Sequence, residues 1–335
     1  MQNLCEDFLF PSLSAQVLST LQLRNAKQPL LPNLRTSMIW SIFKDRIPLI
    51  PSLLSPITTH IGLQFLERNP HKVEVASLIT ALPALCPNLQ NIQLEGLPRD
   101  PVITAAVSEL LLSISRNTFR TFSVDSPLTE EDREVIYKLP DLRKLSIVLD
   151  SPTPLPTIIL QKLLPLTQLK ELVIGFSCEP SCSSTIDDDT ITDLARAMPN
   201  LEVLHIGNAP CKTLAGITVK GLSALAHYSL HLNDLCIHFQ LASLNPPRIP
   251  LFPSVDESPI PRKDCPLEVL HVGNTPMPWQ SALMVALTLT YLFPHLKRIK
   301  YKHHGWSEVS KAIRNSKNLV NRSSKNVYLF LKPDH

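Results

Sequence analysis

An α/β solenoid of short repeats is the fold class that three observations predict. An apolar triplet of the form L-x-x-L-x-L returns along the chain, a stripe of apolar residues at helical spacing lies between successive triplets, and a proline stands one or two residues before most of them. Self-similarity at a fixed period is the signature of a repeat array, and it overrides the length prior that would divide 335 residues into separate globular domains.

The triplets begin at Leu34 (LRTSMI) and Thr58 (TTHIGL) in two loose copies, and then at Leu89, Phe119, Leu142, Leu169, Leu201, Leu232, Leu267 and Leu296. These are about ten irregular repeats with starts 23–35 residues apart, somewhat longer than the usual leucine-rich unit and long enough to hold a helix. The strongest internal evidence is LEVLHIGNAP from Leu201 and LEVLHVGNTP from Leu267, whose separation of 66 residues equals two units. The predicted fold is therefore a leucine-rich-repeat solenoid, a βα horseshoe. Residues 31–320 form the array, 1–30 an N-terminal cap or flank, and 321–335 a C-terminal tail or cap.

Helices are expected at about 75–85, 101–116, 155–164, 214–228, 279–293 and 307–316. In the segment that opens at Asp187, Ile191, Leu194, Ala195 and Met198 fall at i, i+3, i+4 and i+7, so one stripe turns to the core. The acidic run Asp187 to Asp189 suits a helix N-terminus better than a metal site. Thr129-Glu130-Glu131-Asp132 reads as a capping box with Asp in place of Glu. Pro32, Pro87, Pro140, Pro199, Pro266 and Pro294 end each helix on cue, because proline lacks a backbone donor and biases its predecessor away from helix. Residues 244–265, rich in proline and without a stripe, are expected to be an irregular excursion, more simply a passive insertion than a binding loop.

Composition narrows function. Hydrophobic residues at 44% and charged residues at 18% suit a chain that buries a large core. A net charge of +3 lacks the concentrated basic surplus that a phosphate backbone demands, so nucleic acid is not expected as a partner. The opening Met1 to Asp7 lacks the basic and apolar regions of a secretory signal, and the longest apolar run, Ala282 to Phe293, is broken by Thr288 and Thr290. No membrane contact is expected, and the location should be intracellular, cytoplasmic or nuclear. Seven cysteines without framework spacing point to reduced thiols; the Cys178/Cys182 pair has no second pair to complete a zinc site. Only 8 glycines are present, with no G-x-G-x-x-G, no P-loop, no G-x-S-x-G and no H-E-x-x-H. Neither enzymatic activity nor a cofactor or resident metal is expected.

A binding surface is expected on the concave sheet, where alternate strand side chains point away from the core. The candidate face is Asn91, Gln93, Glu95, Thr121, Ser123, Asp125, Lys144, Ser146, Glu171, His205, Asp234, His238, His271, Arg298, Lys300 and Lys302. It grades from polar and acidic, through a histidine-bearing middle, to a basic end that would favour an acidic partner or simply be a solvated terminal face. His205, Cys236, His238 and His271 could converge on a metal or pH-sensitive site. Duplication of one repeat position explains His205 and His271 equally, without a ligand. Met38 and Trp40 are expected in the core or a cap.

Three stretches go beyond a generic repeat: Thr190 to Gln240, Asn274 to Arg298 and Leu30 to Leu54. They resemble fungal leucine-rich-repeat proteins of the F-box type over most of the chain from about residue 30. The resemblance implies a substrate receptor of a cullin-based ubiquitin ligase, with the repeats holding a protein substrate and an F-box recruiting a Skp-type adaptor. Cys5 to Pro11 does not supply an F-box opening, so contact with the Skp-type adaptor and the cullin ligase is expected only if an F-box lies upstream. Otherwise the chain would be a stand-alone interaction scaffold.

Overall fold

Ten triplets become ten strands, and an eleventh strand precedes them. The computed structural model describes residues 3–5, 20, 29–66, 71–114, 118–150, 156–177, 186–207, 216–240, 265–273, 275, 277 and 282–315. The 244–264 part of the proline-rich excursion, the Cys178/Cys182 loop and the 321–335 tail lie outside them. Contacts divide the chain into two compact units, Met1–Ser151 with Pro165–Ser177, and Pro152–Leu164 with Cys178–His335.

In the first unit β1 (Asn3–Cys5), β2 (Thr36–Ile42), β3 (His60–Phe65), β4 (Asn91–Glu95), β5 (Thr121–Pro127), β6 (Lys144–Asp150) and β7 (Glu171–Ser177) lie side by side in chain order, all parallel. Strand β1, which pairs Asn3 with Thr36 and Cys5 with Met38, falls in the segment expected to be a cap. It carries no triplet, so no periodicity announces it. In the second unit β8 (Val203–Ile206), β9 (Asp234–Cys236), β10 (Val269–Gly273) and β11 (Arg298–Tyr301) are again parallel neighbours in chain order.

Helices return the chain between parallel strands, as parallel pairing requires. They are α1 (Ile50–Leu53), α2 (Lys72–Leu85), α3 (Pro101–Ser113), α4 (Glu130–Ile136), α5 (Pro156–Leu163), α6 (Asp188–Ala197), α7 (Val219–Tyr228), α8 (Ala282–Leu292) and α9 over 306–315. The caps follow the sequence closely. Thr129 Oγ1 accepts from Asp132 N at 3.2 Å, and Asp132 Oδ2 accepts from Thr129 N at 2.9 Å, so the Asp-bearing capping box is real. Asp187 Oδ1 caps α6 by accepting from Thr190 N at 2.9 Å. Asp188 reaches sideways instead, accepting from Thr218 N, Thr218 Oγ1 and Gly221 N at 2.7, 2.6 and 2.9 Å, and so fastens the start of α7 to the start of α6.

The core of each unit is the sandwich of triplet hydrophobics and helix stripes. Ile61, Leu63, Ile92, Leu94, Phe122, Leu145, Ile147, Leu172 and Ile174 are all buried in the first unit. Leu204, Leu235, Leu270 and Val272 are buried in the second, together with the α6 stripe Ile191, Leu194, Ala195 and Met198. Burying each such aliphatic chain contributes about 1.5–3 kcal/mol against chain entropy. Trp306 closes the second unit: it is fully buried, stacks edge-on against Phe239 at 5.8 Å, and donates from Nε1 to the Thr275 carbonyl at 2.9 Å. Gly96 sits at φ 72 just after β4, where an added Cβ would lie 1.9 Å from the Phe65 carbonyl oxygen, so only glycine fits. Among the described residues, no helix is long and apolar enough to cross a membrane.

Candidate functional site

Strand alternation leaves one side of every triplet at the surface. Along β4, β8, β9 and β10 buried and half-buried residues alternate strictly, and in-register parallel pairing stacks the half-buried ones into rows. In the first unit one row is Asn91, Thr121, Lys144 and Glu171, and the next is Gln93, Ser123, Ser146 and Val173. Lys144 Nζ lies 2.6 Å from Glu171 Oε2. Gln93 Nε2 donates to Glu95 Oε1 at 2.5 Å, and Gln64 Nε2 to Glu95 Oε2 at 3.1 Å. Asp125 accepts from the backbone N–H groups of Gly96 and Leu97, yet burial pushes its carboxyl above the usual range.

Three placements depart from the sequence reading. Ser123 is buried, since a short hydroxymethyl group between longer neighbours does not reach solvent. His238 is buried too, because β9 ends at Cys236 and the alternation stops with it; Ile237, His238 and Phe239 all turn inward. Its ring occupies the space beside Gly273, where an added Cβ would come within 2.7 Å of Cε1. Met38 and Trp40 are not core residues but stand half-exposed on the same side of β2 as Thr36. Met38 lies over Gly62, whose missing side chain makes room for the thioether.

The second unit brings together the residues with the richest chemistry. One row is Val203, Asp234, Val269 and Arg298; the next is His205, Cys236, His271 and Lys300. Asp234, one step along from the histidines, sends Oδ1 between them. It lies 3.1 Å from His205 Nε2, in hydrogen-bonding geometry, and 3.0 Å from His271 Nε2. The imidazole centroids are 5.2 Å apart and the rings are inclined at 53°. Burial holds His271 below the ordinary histidine range, with Lys300 and His205 adding to the effect and Asp234 opposing it. Burial, reinforced by the Asp234 charge, pushes the Cys236 thiol up to about 11, so it is not a nucleophile at neutral pH. Arg298, Lys300 and Lys302 are exposed, with Lys302 N donating to the Gly273 carbonyl at 2.9 Å.

The convergence expected of His205, Cys236, His238 and His271 thus takes a different form. Asp234 joins the two histidines, and His238 is withdrawn. On the helix side of the first unit, a groove of about 920 Å³ runs between α3 and α4. Of its lining groups, Asp100 caps α3 and pairs with Lys72, and Thr129 caps α4. Comparison with protein-family models and with curated proteins gives no match to the chain.

Proposed function

We propose that the chain is a leucine-rich-repeat protein-binding module, its partner held on the half-exposed strand faces. The observation that carries this reading is the in-register stacking of outward side chains strand after strand within each unit, which builds a chemically varied surface on each strand ladder. Rigid strands present side chains without further ordering cost, and a half-exposed Trp40 beside Met38 adds the kind of aromatic anchor on which binding energy concentrates. The exposed Arg298, Lys300 and Lys302 suit an acidic stretch of the partner. The likeness of residues 30–54, 190–240 and 274–298 to fungal F-box-type proteins supports a finer version, in which the bound protein is the substrate of a cullin-based ubiquitin ligase.

Affinity capture from a fungal lysate with proteolysis inhibited tests both levels. Wild-type chain should retain partners that Trp40→Ala and the Arg298→Glu/Lys300→Glu pair each lose, with unchanged unfolding midpoints. Recovery of a Skp-type subunit supports the ligase version. Partners retained without that subunit leave a stand-alone interaction module. Equal capture by wild type and both face variants refutes the binding surface.

A further inference from the structure

We infer that His205, Asp234 and His271 form a binding site for a divalent transition-metal ion of the zinc class. Their three donor atoms, the two Nε2 nitrogens and one carboxylate oxygen, all lie within 4.8 Å of one another. Both nitrogens are 3.0–3.1 Å from the same oxygen. Zinc bonds of about 2.0–2.2 Å at the tetrahedral angle place neighbouring donors about 3.3 Å apart, so each nitrogen–oxygen pair already stands within a few tenths of an ångström of a coordination edge.

Hydrogen bonding alone does not account for the arrangement. A carboxylate oxygen can accept from two imidazole N–H groups, but only His205 is aligned to donate. His271 Nε2, shielded from solvent, faces the same oxygen at 3.0 Å without meeting full hydrogen-bond geometry. A cation among the three atoms would give that nitrogen a bond and offset the carboxylate charge. The ring centroids, 5.2 Å apart and inclined at 53°, are compatible with two ligands approaching a common centre.

Rigid positioning favours binding further. The histidines occupy the same position of β8 and β10, on either side of β9, and the pairing Val203↔Asp234↔Val269 fixes the carboxylate relative to both. Two imidazoles and one carboxylate select borderline ions over calcium or magnesium, which take oxygen shells. The side chains remain 22–30% exposed, so water or a partner's side chain can reach a remaining coordination position. Lys300, the register partner of His271, contributes a nearby positive charge that tempers affinity. Cys236 lies in register between the histidines but is outside the three-donor group.

Calorimetric titration of Zn²⁺ into the chelator-treated full chain should give one ion per chain. His205→Ala, His271→Ala and Asp234→Asn should each weaken binding at least tenfold, while Cys236→Ser retains it. X-ray absorption of the zinc-loaded wild type should report nitrogen and oxygen neighbours with imidazole scattering, which holds even if a variant fails to fold. Undiminished zinc binding in the histidine variants, a sulfur-containing shell, or no stoichiometric binding by wild type would each overturn the assignment.

Discussion

Asp188→Ala removes the three hydrogen bonds by which α6 holds the start of α7. The carboxylate accepts from Thr218 N, Thr218 Oγ1 and Gly221 N at 2.6–2.9 Å, all charge-assisted and half-buried. Hydrogen bonds to a charged group contribute about 1.5–3 kcal/mol each when sheltered. Water can replace part of what a half-exposed site loses, so the sum is discounted to about 3 kcal/mol in total. With a urea slope near the upper end of the usual range, about 3 kcal/mol per molar, the midpoint should fall by about 1 M at constant slope. Asp188→Asn keeps an acceptor for the backbone donors and should lose less than half as much. Gly221 supplies an internal control: an added Cβ there would sit 2.6 Å from Asp188 Oδ1, so Gly221→Ala should cost less in the Asp188→Ala background than alone. A midpoint shift for Asp188→Ala below about 0.2 M, or additivity of the two substitutions, would refute the claim that this carboxylate ties the neighbouring repeats together.

Three further outcomes follow from the packing. Gly96→Ala forces a side chain into the left-handed region and against the Phe65 carbonyl, and should lower stability by about 1–3 kcal/mol or more, read as a drop in melting temperature. Trp306→Ala empties a fully buried site and orphans the Thr275 carbonyl, costing about 3–5 kcal/mol, whereas Trp306→Phe should cost distinctly less; equal melting curves for the two would contradict it. Burial, and secondarily the Arg120 charge, hold His60 below the ordinary histidine range, so the unfolded chain takes up a proton there before the folded chain does. Stability should therefore fall as pH drops through about 6.5, and His60→Gln should show a smaller loss of urea midpoint between neutral pH and mildly acidic buffer.

The positions of all ten triplet strands could be read from the sequence because each carries its own periodic signal, an apolar residue at alternate positions, with proline before most of them. Helix ends moved by a few residues where no side-chain cap marks them, as at α2, which begins at Lys72 rather than 75. At Asp187 and Thr129, where side chains do mark the start, the reading held. What could not be read was β1, which borrows its order from β2 instead of from a pattern of its own. The surface chemistry was half legible. Register predicts that His205 and His271 flank Cys236, but which side chain fills the space between them depends on reach along the strand, and Asp234 reaches it. His238 turned inward because its strand ended two residues earlier, and strand length is set by pairing that no local signal records.

The two copies of LEVLH place the same histidine on β8 and β10, with one unrelated strand between them. Duplication of a two-repeat block therefore delivers a symmetric pair of imidazoles at a fixed spacing, and a single acidic residue on the intervening strand suffices to make them a converging trio. Chelating geometry of this kind usually requires several independent changes in a globular protein. In a stacked array the strand between two copies of a repeat is therefore the place where one substitution can add a third group to a duplicated pair.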